Sequence, residues 1–351
     1  MGMGGRERQL ISLIESLLNH QTKIDCLVAI FNNNDVYFRS QQIEKILLDT
    51  FSSNSTFGVP AFRKLLELQK REKFNFIYAA DEYVVPLALS VSLLTNCKFI
   101  NGSLRHGFVN YFNKRQLFRS IFYRFSKYII ANSSQGYKAN KLKINNSRFI
   151  LYNGVDPKFI ECYQNKDYKK NDLIQLLSVS RLHPIKDYET ILKALRIVVD
   201  KSKSKIKYKI VGDGPNYNKI KSLINTLKLA EYVDLVGKTA KVEYLYENAD
   251  LFIHSSKSEG CPNVVLEAMA CGVPVLATNT GGTPEIINHN TGRLFEYKDV
   301  ANLANMILEL IENETLRDEL VINAHNYILK NHTYKNLANK FISILKIIEN
   351  E

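Results

Sequence analysis

The feature that most constrains the fold is an alternation, through the second half of the chain, of short apolar runs with amphipathic stretches. LIQLLSVS (173–180) precedes a helical pattern over about 188–200, and KYKIVGDG (207–214) precedes another over about 216–227. YVDLVG leads to a helix near 242–248, ADLFIHSS to one beginning near Pro262, and PVLAT supplies a further strand. Apolar runs of this length, bounded by turn residues, are strands buried on both faces, and parallel strands need a crossover helix between them. The pattern predicts an α/β domain on a doubly wound, Rossmann-like sheet. The first half repeats the rhythm less cleanly. A helix over about 6–18, strand KIDCLVAIF, a helix after Ser40, strand FNFIYAA, a helix near 85–94 and strand CKFINGS predict a second Rossmann-like domain. A length of 351 residues also favours two domains. The polar stretch 156–172, rich in Lys, Asn and Tyr, is the linker candidate.

Composition narrows the class. Hydrophobic residues at 45% and charged residues at 23% exclude a disordered or fibrous chain. The five cysteines, Cys26, Cys97, Cys162, Cys261 and Cys271, include no C-x-x-C pair and fit a reducing cytoplasm. The opening MGMGGRERQL lacks the apolar core of a signal peptide, and the longest apolar stretch, 83–94, is too short to span a bilayer. A cytoplasmic protein, soluble or peripheral at the membrane, is expected. The formal charge of +12 is uneven: residues 1–160 hold 22 Lys/Arg against 11 Asp/Glu, and the rest 25 against 24. Between Tyr83 and Val155 stand 11 basic residues and no acidic one, a surface for phosphates, anionic lipid or nucleic acid.

The densest chemical signal is SEGCPNVVLEAMACGVPVLATNTGGTPEII, in which seven residues separate Glu259 from Glu267 across a turn into a helix. Pro262 and Asn263 suit a helix start. Unpaired amides at such a start, around Gly260, Asn263 and Val264, together with the positive end of the helix dipole, suit a pyrophosphate. Glu267, about a turn further in, is placed to reach ribose hydroxyls, and Glu259 on the preceding loop to accept hydrogen bonds from sugar hydroxyls. Two glutamates at this spacing are more commonly solvated surface residues. Here they sit at a strand-to-helix crossover, and Gly260, Gly272, Gly281 and Gly282 permit tight turns and close backbone approach.

This block resembles the family-4 glycosyltransferases, retaining enzymes with two Rossmann-like domains facing a central cleft (the GT-B type, or glycosyl transferases group 1). LYNGVD (151–156), SVSRLHPIKDYETILKAL (178–195), IVGDGP (210–215) and VDLVGK agree with that family in order and spacing. The resemblance implies transfer of a sugar from a nucleotide sugar, UDP by default, to a saccharide or lipid-linked acceptor in capsule, lipopolysaccharide or other surface-glycan synthesis. It implies an acceptor-side domain over 1–157, a nucleotide-sugar-binding domain over 158–332, and a C-terminal helix, 333–351, packing back on the first. The family's diphosphate-holding Arg and Lys match Arg181 and Lys186. Physically, fixed cations stabilise charge growing on the leaving nucleoside diphosphate where a metal ion otherwise would, so neither metal nor other cofactor is expected. Gly212, Gly214, Pro215 and Gly237 are turn formers first and nucleotide neighbours second. Gly4 and Gly5 match the loop near the donor phosphates. His106, in NGSLRHGF, matches a histidine that faces the transferred sugar; a lone histidine is otherwise an ordinary satisfied polar residue. The family's account of retention is a front-face substitution in which the leaving phosphate helps deprotonate the acceptor hydroxyl, with no enzyme nucleophile and no two-carboxylate scheme.

The chain departs from the family by opening directly at the glycine loop, so the first strand of the N-terminal domain is expected to be missing and the start codon to lie upstream. The stretch YFNKRQLFRSIFYRFSKYII (111–130) interleaves aromatics with Lys and Arg, which suits an amphipathic helix on an anionic membrane or an aromatic core stripe with solvated bases. A nucleic-acid-binding protein is disfavoured because it leaves the paired glutamates without a purpose. The remaining alternatives are a catalytically inactive nucleotide-sugar-binding or scaffolding relative, and an epimerase or phosphorylase of the same architecture.

Overall fold

The computed structural model describes residues 5–20, 24–30, 44–47, 59–105, 114–165 and 173–351. The chain divides into two compact units, Met1–Gly154 with Tyr334–Glu351, and Val155–Thr333. The first contains α1 (Gly5–Leu18), β1 (Leu27–Ile30), β2 (Glu44–Leu47), α2 (Val59–Glu72), β3 (Phe76–Ala79) and α3 (Val85–Leu94). Next come β4 (Lys98–Leu104), α4 (Lys114–Phe125), β5 (Tyr128–Ala131), α5 (Ser134–Ala139) and β6 (Arg148–Ile150). The second unit runs through α6 (Pro157–Asn165), β7 (Leu173–Val179), α7 (Tyr188–Lys201), β8 (Lys205–Val211), α8 (Tyr217–Thr226) and β9 (Val233–Gly237). It continues with α9 (Val242–Glu247), β10 (Leu251–His254), α10 (Asn263–Ala270), β11 (Val275–Thr278), β12 (Arg293–Phe295), α11 (Val300–Glu312) and α12 (Glu314–Asn331). The last helix, α13 (Tyr334–Asn350), belongs to the first unit.

The sheet of the second unit has the order β12-β11-β10-β7-β8-β9, and every pairing in it is parallel. Renumbered within the unit this is 6-5-4-1-2-3, the doubly wound order with its switch point between β7 and β10. All four residues of β10 and of β11 are buried, as parallel strands covered on both faces require. Helix α7 shows why the local sequence folds as it does. Asp187 caps it, accepting from the Thr190 amide, while Ile191, Leu192, Ala194, Leu195 and Val198 bury one face at helical spacing.

In the first unit β3 to β6 form a parallel sheet in sequential order, and β1 and β2 form a separate parallel pair. Its core joins Leu13 and Leu17 of α1, Ile100, Tyr128 and Ile130 of the sheet, and Phe341, Ile344 and Ile348 of α13. The Gln9 side chain donates to the Gly154 carbonyl at 2.7 Å and accepts from its amide at 2.9 Å, tying α1 to the chain just before the second unit.

Three expectations are corrected. The helix after Ser40 is instead strand at Glu44–Leu47, because pairing with β1 overrides the local periodicity, and the helix comes later at Val59–Glu72. The linker candidate holds α6, whose Phe159 and Cys162, one turn apart, are buried in the second unit. In the aromatic and basic stretch, α4 ends at Phe125 and Tyr128, Ile129 and Ile130 are buried in β5, so its last part is core strand. Ile121 and Phe125 remain exposed. Among the described residues no helix is long and apolar enough to cross a membrane.

Candidate functional site

The loops leaving the carboxyl ends of β7 and β10 meet at the switch point of the second sheet, where open α/β sheets leave a crevice. Backbone bonds stitch them together. The Asp187 amide donates to the Ser255 carbonyl at 3.0 Å and the Lys257 amide to the Ile185 carbonyl at 2.8 Å, with Lys186 and Ser256 paired as an antiparallel bridge. Lys186 is therefore fixed at both flanks, just before the cap of α7.

Its ammonium reaches the Glu259 carboxylate, and the same Oε1 lies 3.1 Å from His254 Nε2. Lys186 and Glu259 side chains are 16% and 17% exposed and His254 only 3%, so this is a nearly dry charge cluster. Burial pushes the Glu259 carboxyl up, but the Lys186 ammonium and the His254 hydrogen bond together outweigh it and hold the group well below the ordinary carboxylate range. His254 is pushed down by burial, then by Lys186, against the pull of Glu259, and so stays neutral. The same Nε2 also lies 3.5 Å from the Lys186 ammonium, so His254 packs against both partners while Lys186 supplies the positive charge.

The Glu259 backbone is held from the other side. The Gly282 amide donates to the Glu259 carbonyl at 3.0 Å, and Gly281 adopts φ +59°, where a β-carbon would stand 2.1 Å from that carbonyl oxygen. Thr280 Oγ1 donates to the Ser256 carbonyl at 2.8 Å, anchoring the same turn to the loop after β10. Helix α10 begins three residues after Gly260, with Asn263 and Val264 as its first residues. Glu267 on α10 is buried, and its Oε2 accepts from the Tyr246 hydroxyl at 3.3 Å.

Arg181, exposed on the loop after β7, stands between Ser180 and Leu182, whose amides donate to Val211 at 3.0 Å and Asp213 at 2.9 Å. Gly212 makes this approach possible: at φ +139° a β-carbon would lie 1.8 Å from the Ser180 carbonyl oxygen. Its amide donates to the Gly237 carbonyl at 2.8 Å. The structure thus gathers Lys186, Glu259 and the start of α10 on two loops, with Arg181, Gly212 and Gly237 on the adjoining turns. Gly5 is the first residue of α1, in the other unit, while Gly4 and His106 lie outside the described residues. Sequence reasoning missed His254 and Tyr246. The first had a signal, being the last residue of a strand bordering the switch point; the second had none. Among the described residues no group of three or more His, Cys, Asp or Glu is placed to hold a metal ion.

Residues 139–346 match the family described as glycosyl transferases group 1. The chain is 30% identical over 170 residues to an N-acetyl-alpha-D-glucosaminyl L-malate synthase of Bacillus anthracis, covering 48% of this chain and 44% of that one. It is 31% identical over 156 residues to a GDP-mannose-dependent alpha-(1-6)-phosphatidylinositol monomannoside mannosyltransferase of Mycobacterium tuberculosis, covering 42% and 40%. The chain spans about half the length of the curated relatives it matches. Among solved structures, Anabaena HepE in complex with UDP superposes with a TM-score of 0.81 at 22% identity, over 99% of this chain and 97% of that one. The lipopolysaccharide outer core galactosyltransferase WaaB superposes with a TM-score of 0.77 at 17% identity, over 98% and 96%. At these identities the likeness establishes the fold, that of the two-Rossmann-domain glycosyltransferases.

Proposed function

Because the chain belongs to the glycosyl transferases group 1 family, we propose that it is a retaining glycosyltransferase that moves a sugar from a nucleotide sugar, UDP-linked in the first instance, to a saccharide or lipid-linked acceptor in cell-surface polysaccharide or lipopolysaccharide synthesis. The observation that carries this reading is the Lys186, Glu259 and His254 cluster at the switch point, with Arg181 on the adjoining turn. HepE, of the same fold, binds UDP and UDP-glucose.

In this reading Arg181 and Lys186 hold the diphosphate, the start of α10 receives it, and Glu267 meets the ribose. Glu259 accepts from hydroxyls of the transferred sugar. The bond from the sugar's anomeric carbon to the β-phosphate oxygen breaks with its electrons passing to the phosphate. The acceptor oxygen bonds the same carbon on the same face, and its proton passes to the departing phosphate. Lys186, held in the nearly dry cluster, and Arg181, on the exposed turn adjoining it, stabilise that charge, and in this reading no metal is required.

Thermal-shift titration with UDP-, GDP- and ADP-sugars, with and without EDTA, tests the reading. A UDP-sugar is expected to raise the melting temperature, EDTA to change nothing, and Glu267→Gln to weaken binding about tenfold, as expected for a lost hydrogen bond to a charged group. No shift with any nucleotide sugar moves the assignment to an inactive or scaffolding relative.

The same proposal places the protein in the cytoplasm, touching the inner membrane face through its basic first half, with no nucleic-acid partner. Ile121 at 44% and Phe125 at 72% exposure on α4, beside Arg124 and Lys127 and within the acid-free segment, support contact with anionic lipid. Flotation with phosphatidylglycerol vesicles at low salt is expected to carry the protein, and Phe125→Ser to reduce it; no recovery at low salt would remove the membrane contact, and equal recovery with neutral vesicles would remove its preference for anionic lipid.

A further inference from the structure

A recess in the first unit lies at the carboxyl ends of β4, β5 and β6 and is closed behind by α1 and α13. Arg105, Asn132, Asn153, Tyr78, Gln9 and Leu337 are among its lining residues. Like the crevice of the second unit it stands where parallel strands end, the usual ligand position of such sheets. The enclosed part of the recess, about 20 Å³, has room for a group the size of a water or two, so a ligand enters it by a small polar end and keeps the rest of its body outside.

Two side chains there are equipped for a ligand and left short of partners. Half-buried Arg105 is braced by donating from Nε to the Gly102 carbonyl at 3.3 Å and from Nη2 to the Tyr78 hydroxyl at 3.4 Å. Both contacts are long, and among the described residues no carboxylate pairs with it. Asn132 is 8% exposed, and its Oδ1 has no hydrogen-bond partner among the described residues. A buried polar oxygen without a partner is uncommon, and a fold that retains one stands to regain the loss on binding a donor. Gln9, another buried amide of the lining, is by contrast satisfied at both ends by Gly154. The surrounding segment, Tyr83 to Val155, carries 11 basic residues and no acidic one, so nothing within it neutralises Arg105.

We propose that this recess binds the acceptor by an anionic group, a carboxylate or phosphate ester, carried next to a hydroxyl, with Arg105 holding the anion and Asn132 accepting from the hydroxyl. A guanidinium fork matches either oxyanion in a two-pronged arrangement. A neutral saccharide would leave the cation half-buried and unpaired. The proposal rests on the reading that the first unit is the acceptor side of a glycosyltransferase.

Isothermal titration of the full chain, saturated with UDP, against D-glucuronate, glycerol 3-phosphate and D-glucose tests it, the first two separating a carboxylate from a phosphate. At least one anion is expected to bind ten times or more tighter than D-glucose. Arg105→Gln is expected to lose tenfold or more of that affinity and Asn132→Ala severalfold, with UDP affinity unchanged within twofold. Arg105→Lys keeps the preference for anions, which guards against a folding defect in the glutamine variant. Equal binding of D-glucose, no binding of either anion, or an Arg105→Gln effect under twofold overturns the proposal. Anion binding lost in Arg105→Gln by a protein that binds no nucleotide or nucleotide sugar overturns instead the transferase reading and leaves the anion site standing.

Discussion

Replacing Lys186 with alanine is expected to lower kcat/KM for sugar transfer by about 10²- to 10³-fold, the usual cost of removing one fixed group that stabilises developing negative charge. Two effects combine. The diphosphate loses a cation held rigidly between the two loops, and Glu259 loses the charge that keeps it ionised in a nearly dry site. The second effect has its own signature in pH. In the native protein Glu259 titrates below its ordinary value of 4.5. Its contribution to stability is therefore present above that value and lost as pH falls toward the depressed one. Without Lys186, burial dominates and pushes the group up, so its contribution is present at low pH and lost as pH rises. The difference in melting temperature between the native protein and Lys186→Ala should therefore widen from pH 4 to pH 7. Steady-state rates and melting curves over that range check both parts. A loss under tenfold in kcat/KM, or a stability gap independent of pH, would show that the ion pair is incidental to the chemistry.

Gly281→Ala is expected to destabilise the protein by roughly 2–5 kcal/mol, combining the strain of a left-handed residue with overpacking. The added β-carbon would stand 2.1 Å from the Glu259 carbonyl oxygen and 2.6 Å from its amide nitrogen, and both are backbone atoms that no side-chain rotation can move aside. The loop carrying Glu259 has to shift, so nucleotide-sugar affinity should fall with stability. Gly237→Ala separates the two causes. Gly237 has φ +76° but open space around its missing β-carbon, leaving strain of about 1–2 kcal/mol alone. Urea denaturation of both variants decides the matter, and equal losses would show that close approach to Glu259 contributes nothing.

Much of this was legible in the sequence because it is written in local chemistry. LFIH is buried on both faces, and LIQLLSV and KIKYKIV bury their carboxyl-terminal halves while Lys205, Lys207 and Lys209 stay exposed or half-buried, a pattern parallel strands between helices accommodate, and Asp187 with Glu189 announces the start of α7. The glycines Gly281 and Gly282 stood out as sites of close approach before the atom approached was known. Where pairing at a distance competes with local periodicity, the sequence misled: Glu44–Leu47 carries a helical pattern but forms a strand, because hydrogen bonding to β1 has no local signature. Helix α6 was hidden in a polar stretch because only two of its side chains reach the core.

The residue types of the site, two loop cations and a spaced pair of glutamates, are properties of the sequence alone, as is the acid-free basic segment. Which of them touch was decided by tertiary structure. Lys186 and Glu259 are 73 residues apart and Arg105 and Tyr78 are 27, and each pair meets only because strand order brings distant segments to the same end of a sheet. Charge sign and hydrogen-bonding capacity belong to each residue wherever it stands. Burial, and with it the depressed titration of Glu259, the lowered titration of His254 and the oxygen of Asn132 that finds no partner among the described residues, exists only once other parts of the chain have displaced the water.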